Sequence, residues 1–279
     1  MLWVLQNNLY NERKFVDLVS FLDRMSIPKI FVKPTPFTDK LISADHDLSK
    51  GINVDDLEDI VLPNIPAIAI GSYTLSKIAT KRGWKPGAFL DNLSYDIWSN
   101  KWGEDLLNPN ATISKFSDIK ISEPKFIRPV EDSKSFAGKV FSPKEWGDWQ
   151  ASVLKVCSDV DPLNGGTEVM MSDPVEIWTE SRVWVVGGKM VTHSQYKRGS
   201  VVHYHPDVDL EILEFADRVT DLWRPNEAFV IDIAQTPIGC KVVEVNCLNS
   251  AGFYAADMGK LVMALEDAKL DALAKAGKK

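Results

Sequence analysis

The sequence is poor in the residues that form disulfides and zinc sites, with only three cysteines and four histidines among 279 residues. Cys157, Cys240 and Cys247 are odd in number and lack metal-type spacing. This disfavours a disulfide framework and predicts a reduced, cytoplasmic protein of bacterial or phage origin. The chain also lacks a basic excess: its net charge is −7. We therefore do not expect nucleic acid as its partner.

Long apolar runs are missing as well. No run approaches the roughly 18 apolar residues of a membrane span. The opening "MLWVLQNNLYNERKF" has a short apolar run and no basic leader, so we expect neither a signal peptide nor a membrane partner. The sequence contains no internal repeat. What remains is a globular composition, 45% hydrophobic and 25% charged, long enough for two or three lobes.

The first part of the chain alternates strand and helix patterns. "LWVLQNN" and "KIFVKP" are typical of buried strands, and "ERKFVDLVSFLDRMS" between them has helical spacing. "AIAIGSYTLSKIATKRGW" predicts a further strand, a glycine turn and a helix. We expect a small α/β lobe over residues 1–115. The polar stretch "NKWGEDLLNPNATISKF" is predicted to be a linker.

The later segment "AFVIDIAQTPIGCKVVEVN" predicts a hairpin that carries acidic residues. A turn at residues 237–239 sets Asp232 opposite Glu244, and Asn246 shares their face. Val243 and Val245 would fill the other face as core. Facing carboxylates repel unless a cation lies between them, and carboxylate and amide oxygens are ligands of Mg²⁺. We predict a metal site here; the alternative is a face that points to solvent.

A set of basic residues precedes this hairpin in the sequence. The segment "KFIRPVEDSKSFAGK" supplies four cations: Lys125, Arg128, Lys134 and Lys139. Arg182 lies inside an otherwise apolar strand, where arginine needs an anionic partner. These residues are candidates for phosphate binding. The alternatives are a solvated loop for Lys134 and Lys139 and a structural salt bridge from Arg182 to Glu180 or Asp232.

The order of these segments resembles the ATP-grasp superfamily, and more narrowly a divergent clade within it. That clade includes phage and bacterial ATP-grasp proteins and a eukaryotic initiation-factor assembly chaperone. The resemblance covers roughly residues 120–260 and rests on four phrases: "FIRPVEDSKSFAGKVF", "ESRVWVVGGKMVTHSQYKRG", "FVIDIA" and "KVVEVNCLNSAGFYAAD". It implies an α+β fold in which two subdomains, at about 120–175 and 176–279 within a domain over 116–279, grip ATP.

The resemblance also implies roles for individual residues on the nucleotide side. Arg128 and Lys134 would contact the phosphates. The segment 168–176 would be the hinge strand that reads adenine, with Glu168 at its start and Glu176 at the ribose. The short loop "EDSKSFAG" replaces the longer glycine-rich loop of many relatives, so Lys139 is an alternative to Lys134.

On the opposite side, Arg182 would reach the transferred phosphate or the substrate carboxylate. Lys197 or Arg198 would do the same from the following loop. Asp232, Glu244 and Asn246 would hold one or two Mg²⁺ ions.

Two functions are compatible with this resemblance. The first is an ATP- and Mg²⁺-dependent ligase that activates a carboxylate as an acyl phosphate for attack by an amine, with a small molecule, peptide or protein as substrate. The second is a non-catalytic protein that binds Mg-ATP and serves as an assembly factor for a protein partner. The sequence identifies neither the donor nor the acceptor.

Overall fold

Three β-sheets organise the chain in a computed structural model that describes residues 1–7, 9, 12–35, 38–46, 56–131 and 135–276. The first sheet has the strand order β3-β2-β1-β4-β5. Its members are β1 (Leu2–Gln6), β2 (Lys29–Pro34), β3 (Leu41–Ser43), β4 (Ala67–Ile70) and β5 (Pro86–Gly87). All neighbours pair in parallel except β2 and β3. Parallel strands need crossovers, and helices supply them.

Two helices cover the faces of the first sheet. α1 (Phe15–Arg24) buries its apolar stripe on one face, and α2 (Tyr73–Lys81) packs on the other. Ser72 begins α2 by accepting a hydrogen bond from the backbone amide of Leu75, as N-cap residues do. This arrangement confirms the strand and helix pattern predicted for the N-terminal lobe.

The second sheet is antiparallel and holds the predicted acidic hairpin. Its strand order is β12-β11-β10-β13-β14. Its members are β10 (Thr179–Val186), β11 (Lys189–Arg198), β12 (Val201–His205), β13 (Ala228–Thr236) and β14 (Gly239–Asn246). α5 (Leu210–Leu222) packs on one face, and α6 (Met258–Ala276) packs on the other together with α1 and β1. One continuous core therefore joins the first and second sheets.

The third sheet is the smallest, with four strands in the order β6-β9-β7-β8. They are β6 (Thr112–Lys115), β7 (Lys125–Pro129), β8 (Lys139–Phe141) and β9 (Glu168–Ser172). α4 (Pro143–Val156) begins with a capping box between Ser142 and Glu145. Its Trp146 packs edge-on against Phe116 and Phe141 and forms a separate aromatic core.

The stretch predicted to be a linker is part of the core, so that prediction was wrong. α3 (Tyr95–Trp102) ends inside it, and Trp102 is buried, with its indole N–H donating to the carbonyl of Val219 at 2.9 Å. Leu106 is also buried and forms an isolated bridge to Val242 of β14. These apolar anchors outweigh the polar composition. The predicted boundary after residue 115 stays a prediction.

The turn after β14 ties the first sheet to the second through Asn249, which is 1% exposed. Its side-chain amide donates to the carbonyls of Ala69 and Gly87, at 2.7 and 3.2 Å, and its side-chain oxygen accepts the amide of Phe89 at 2.9 Å. We predicted Asn249, Ser250 and Gly252 to be either a ligand loop or a plain turn. The side chain of Asn249 is fully used by the fold.

Among the helices that the structure describes, none is both long enough and apolar enough to cross a membrane.

Replacing Asn249 by alanine should destabilise the protein by about 2–4 kcal/mol, because three buried backbone groups lose their partner. Urea denaturation followed by circular dichroism measures this change. Asn100→Ala is the matched control, since Asn100 is exposed and donates only to the carbonyl of Asp96. Equal stabilities for the two variants would show that Asn249 does not join the sheets.

Candidate functional site

A cavity of about 740 Å³ lies between the second and third sheets. The third sheet contributes side chains of β7, β8 and the segment before β8, and the second sheet contributes β10, β11, β14 and the β11–β12 turn. The segment 174–177 connects the sheets along one side. The charged residues in its lining are Arg128, Glu131, Lys139, Glu180, Lys197 and Glu244.

Three charged residues lie side by side across neighbouring strands below this cavity. Arg182 of β10 pairs with Asp232 of β13, and Asp232 pairs with Glu244 of β14. This confirms the register predicted for the hairpin. Directly opposed side chains on neighbouring strands are close enough to interact, so the sheet itself sets the order of charges.

A β-bulge changes which valines form the core. The pairing shifts between Asp232 and Ile233, where Ile233 faces Val242. The extra residue, Val243, lines the cavity, while Val242 and Val245 are buried. The prediction of Val243 as core was therefore wrong, because strict alternation does not continue through a bulge.

Arg182 and Asp232 form a buried two-point salt bridge. Nε and Nη2 of Arg182 donate to Oδ1 and Oδ2 of Asp232, each at 2.7 Å. Burial raises the pKa of Asp232 to about 6; Arg182 opposes this, and the charges of Glu244 and Glu180 add to it. Burial lowers the pKa of Arg182, but Asp232 raises it by more, so Arg182 stays charged. The structural salt bridge considered for Arg182 is thus present, and its acceptor is Asp232.

A second ion pair crosses the cavity from one sheet to the other. Nη1 of Arg128 on β7 donates to Oε2 of Glu244 at 3.0 Å, and the guanidinium lies 5.6 Å from the ring centre of Trp98. Asn246 donates to Oε1 of Glu244 at 2.7 Å. The acidic face therefore points into the cavity and not to solvent.

Glu180 is a site residue that sequence reasoning considered only as a partner for Arg182. It accepts the phenolic hydroxyl of Tyr196 at 2.7 Å and the ammonium of Lys197 at 2.5 Å. Its position two residues before Arg182 on one strand was the available signal, since such residues share a face. Tyr196 had no comparable signal, because its role depends on pairing between strands.

The remaining nucleotide-side predictions meet different outcomes. Lys139 lines the cavity, with its ammonium 4.6 Å from the ring centre of Phe141. Lys134 lies outside the described residues. Glu168 begins β9 opposite Lys115, four residues from the end of the strand near the cavity, and does not line it. At about 3.3 Å per residue this removes Glu168 from the hinge.

Glu176 is exposed and accepts a hydrogen bond from the indole of Trp178 at 3.1 Å. It is not part of the cavity lining, although its neighbours Val175 and Ile177 are. β9 pairs on both sides with β6 and β7. The free hinge backbone is therefore the segment 174–177, which follows β9, and not the predicted strand itself.

The three predicted metal ligands provide the oxygen types that Mg²⁺ prefers: Asp232, Glu244 and Asn246. The mutual repulsion recorded in the raised pKa of Asp232 indicates that the face favours added positive charge. Within the described residues, no cluster of three or more histidine, cysteine or acidic side chains is arranged to hold a metal. The donor set fits a hard cation in kind, with two arginines as its neighbours.

Comparison with known proteins identifies the fold. Residues 26–265 match the model of an ATP-grasp domain, family 3 of its clade. The chain is similar in structure to the D-alanine–D-alanine ligase from Coxiella burnetii, with 11% identity, a TM-score of 0.64 and coverage of 99% of this chain and 97% of that one. A D-alanine–D-alanine ligase from Bacillus anthracis complexed with ATP has 14% identity, a TM-score of 0.55 and coverage of 98% and 99%.

The ATP-grasp ligase PsnB, complexed with a minimal precursor, is also similar, with 12% identity, a TM-score of 0.52 and coverage of 96% and 98%. A search of curated proteins finds no significant match. The fold is the α+β ATP-grasp fold, as predicted.

Arg182→Met should destabilise the protein by about 3–5 kcal/mol at pH 8, because it leaves Asp232 buried without its partner. The folded pKa of Asp232 is above its ordinary 3.8, so stability attributable to this group falls as pH rises through that window. Removing Arg182 raises the folded pKa further. The loss, measured by urea denaturation, should be smaller at pH 5 than at pH 8.

The double variant Arg182→Met/Asp232→Leu is the control, since it removes both charges. It should recover stability at pH 8 and lose the extra pH dependence. An equal loss at both pH values in the single variant would contradict the assignment of the charged pair.

Proposed function

Because the chain belongs to the ATP-grasp superfamily, we propose that it is an ATP- and Mg²⁺-dependent ligase that joins a carboxylate to an amine. The observation that carries this proposal is the cavity between two sheets. Arg128 and Lys139 approach it from the third sheet, and Lys197 and Glu244 approach it from the second. Cations on both walls suit a polyphosphate, and carboxylates beneath them suit its counter-ion.

Each group has a role that follows from its position. Arg128 and Lys139 bind the phosphates of the nucleotide, and the backbone of segment 174–177 lies where the base would dock. Lys197 orients the carboxylate substrate or the transferred phosphoryl group. Asp232, Glu244 and Asn246 hold Mg²⁺, which supplies charge neutralisation to the phosphates.

The reaction that suits this arrangement is phosphoryl transfer followed by acyl transfer. A carboxylate oxygen of the substrate attacks the γ-phosphorus of ATP, and the bond to the β-γ bridging oxygen breaks to release ADP. An amine then attacks the acyl carbon, and phosphate leaves. Catalysis of the first step rests on positioning and charge neutralisation, so no nucleophilic side chain is needed. The peptide in the PsnB complex supports a peptide as one possible substrate class.

The second candidate is a protein that binds Mg-ATP without turnover and acts as an assembly factor. The Arg182–Asp232 pair favours it, because both oxygens of Asp232 are engaged at 2.7 Å. A metal ion that uses Asp232 would have to compete with this arginine.

Glu244→Ala should abolish Mg²⁺-dependent ATP binding, because it removes a carboxylate from the cavity floor and releases Arg128. Isothermal calorimetry with ATP, with and without Mg²⁺, measures this loss, and circular dichroism checks the fold. Glu168→Ala is the matched control; we expect its ATP affinity to stay within about twofold of the wild type, since Glu168 lies off the cavity. Unchanged Mg²⁺-dependent binding in Glu244→Ala would falsify the metal assignment.

Turnover separates the two candidates. Under the ligase proposal, ADP should accumulate when the wild-type protein and Mg-ATP are mixed with amino acids or peptides, and Glu244→Ala should form none. Chromatography of the nucleotides detects it. Tight ATP binding without ADP for any acceptor would instead favour the assembly factor.

A further inference from the structure

β12 is an unusually bare edge strand. It is the outermost strand of the second sheet, and all five of its residues are exposed. Val201 and Val202 are 64% and 67% exposed. Edge strands are normally protected by lysine, proline or inward charge, because their unpaired backbone groups can pair with another chain. β12 has none of these, and within the described residues no strand covers its outer side.

The bare strand begins at the cavity. Gly199 and Ser200, which form the turn before β12, belong to the cavity lining. Aromatic rings then continue along the strand: Tyr196 in the cavity wall stacks on Tyr254 at 4.9 Å, and Tyr254 lies 5.1 Å from Tyr204 of β12. Any chain that pairs with β12 is therefore led along these rings into the proposed active site.

The direction of β12 fixes the polarity of such a chain. β12 runs away from the cavity, from Val201 to His205. A strand added antiparallel to it runs towards the cavity and brings its carboxyl terminus there. Lys197 lines that end, and Arg198 is exposed beside it and pairs with Val201. Positive charge at this end complements a terminal carboxylate.

We propose that β12 is the docking edge for an extended peptide, which pairs antiparallel with it and presents its C-terminal carboxylate in the cavity. The occupant is a polypeptide because only another backbone satisfies the hydrogen-bonding groups of a strand edge. This inference rests on the proposed ligase function and deepens it: the carboxylate to be activated is a peptide's own C-terminus.

The hairpin geometry indicates which residue to change. In a hairpin with a two-residue turn, the flanking pair, here Arg198 and Val201, directs its backbone groups inward. Those of Val202, the next residue, point to the open edge. Val202→Pro removes an N–H from that edge, whereas Val202→Thr keeps it and favours a strand equally well.

The experiment uses the full chain and synthetic hexapeptides of randomised sequence with acetylated N-termini and free carboxyl termini. Peptides retained by the immobilised protein are identified by mass spectrometry. The best one is made again with a fluorescent label, as the acid and as the C-terminal amide, and its binding is measured by anisotropy. We expect a loss of affinity of about tenfold in Val202→Pro and less than twofold in Val202→Thr. The amide should bind more weakly than the acid.

Other outcomes would overturn the inference. They are the absence of any retained peptide, equal binding by the two variants, or equal binding of acid and amide. Sedimentation tests another occupant: a wild-type dimer that Val202→Pro converts to a monomer would assign the edge to a second copy of the chain. Calorimetry with ATP on Val202→Pro should give wild-type affinity. If the wild type itself binds no ATP, the proposed function fails, whereas the peptide measurement still judges the docking edge.

Discussion

The row of alternating charges across the second sheet is the constraint on which the site depends. Arg182, Asp232 and Glu244 occupy neighbouring strands at one level, and Arg128 extends the row into the third sheet. Two carboxylates at this depth would repel each other in isolation. Each is held by a guanidinium on its far side, so the row is stable only while both arginines stay in place.

This row also joins parts of the fold that have separate cores. The third sheet has its own aromatic cluster, which shares no residues with the core around α5. The Arg128–Glu244 pair spans the cavity between them at 3.0 Å. A contact of this kind is partly solvated and worth less than core packing. It can therefore be exchanged for a ligand without loss of either sheet.

Much of the site could be predicted from the sequence, because its key geometry is local. The hairpin register follows from one turn, and it placed Asp232 opposite Glu244. The bulge at Val243 could not be predicted, because it depends on packing against neighbouring strands. The same holds for the wrongly predicted linker: its composition is polar, but Trp102 and Leu106 find buried partners on α5 and β14 that are distant in sequence.

The nucleotide side was harder to predict for a related reason. Glu168 and Glu176 were assigned by their order in the chain, yet whether a residue reaches a cavity depends on where a strand ends. β9 ends at Ser172, and the segment after it takes the place at the cavity. Conversely, Glu180 was detectable, because two residues along a strand return a side chain to the same face.

The charge balance of the row suggests how a ligand would change it. Arg128 neutralises Glu244 and is also a cavity cation, so it cannot serve a phosphate and the carboxylate equally. A phosphate that draws Arg128 away leaves Glu244 in need of another cation, and a divalent ion bound there in turn frees Arg128 for the phosphate. Because such coupling is reciprocal, nucleotide and metal should each strengthen the binding of the other. Arg182 is too deeply buried to take part in this exchange, and its place is to keep Asp232 ionised beside Glu244.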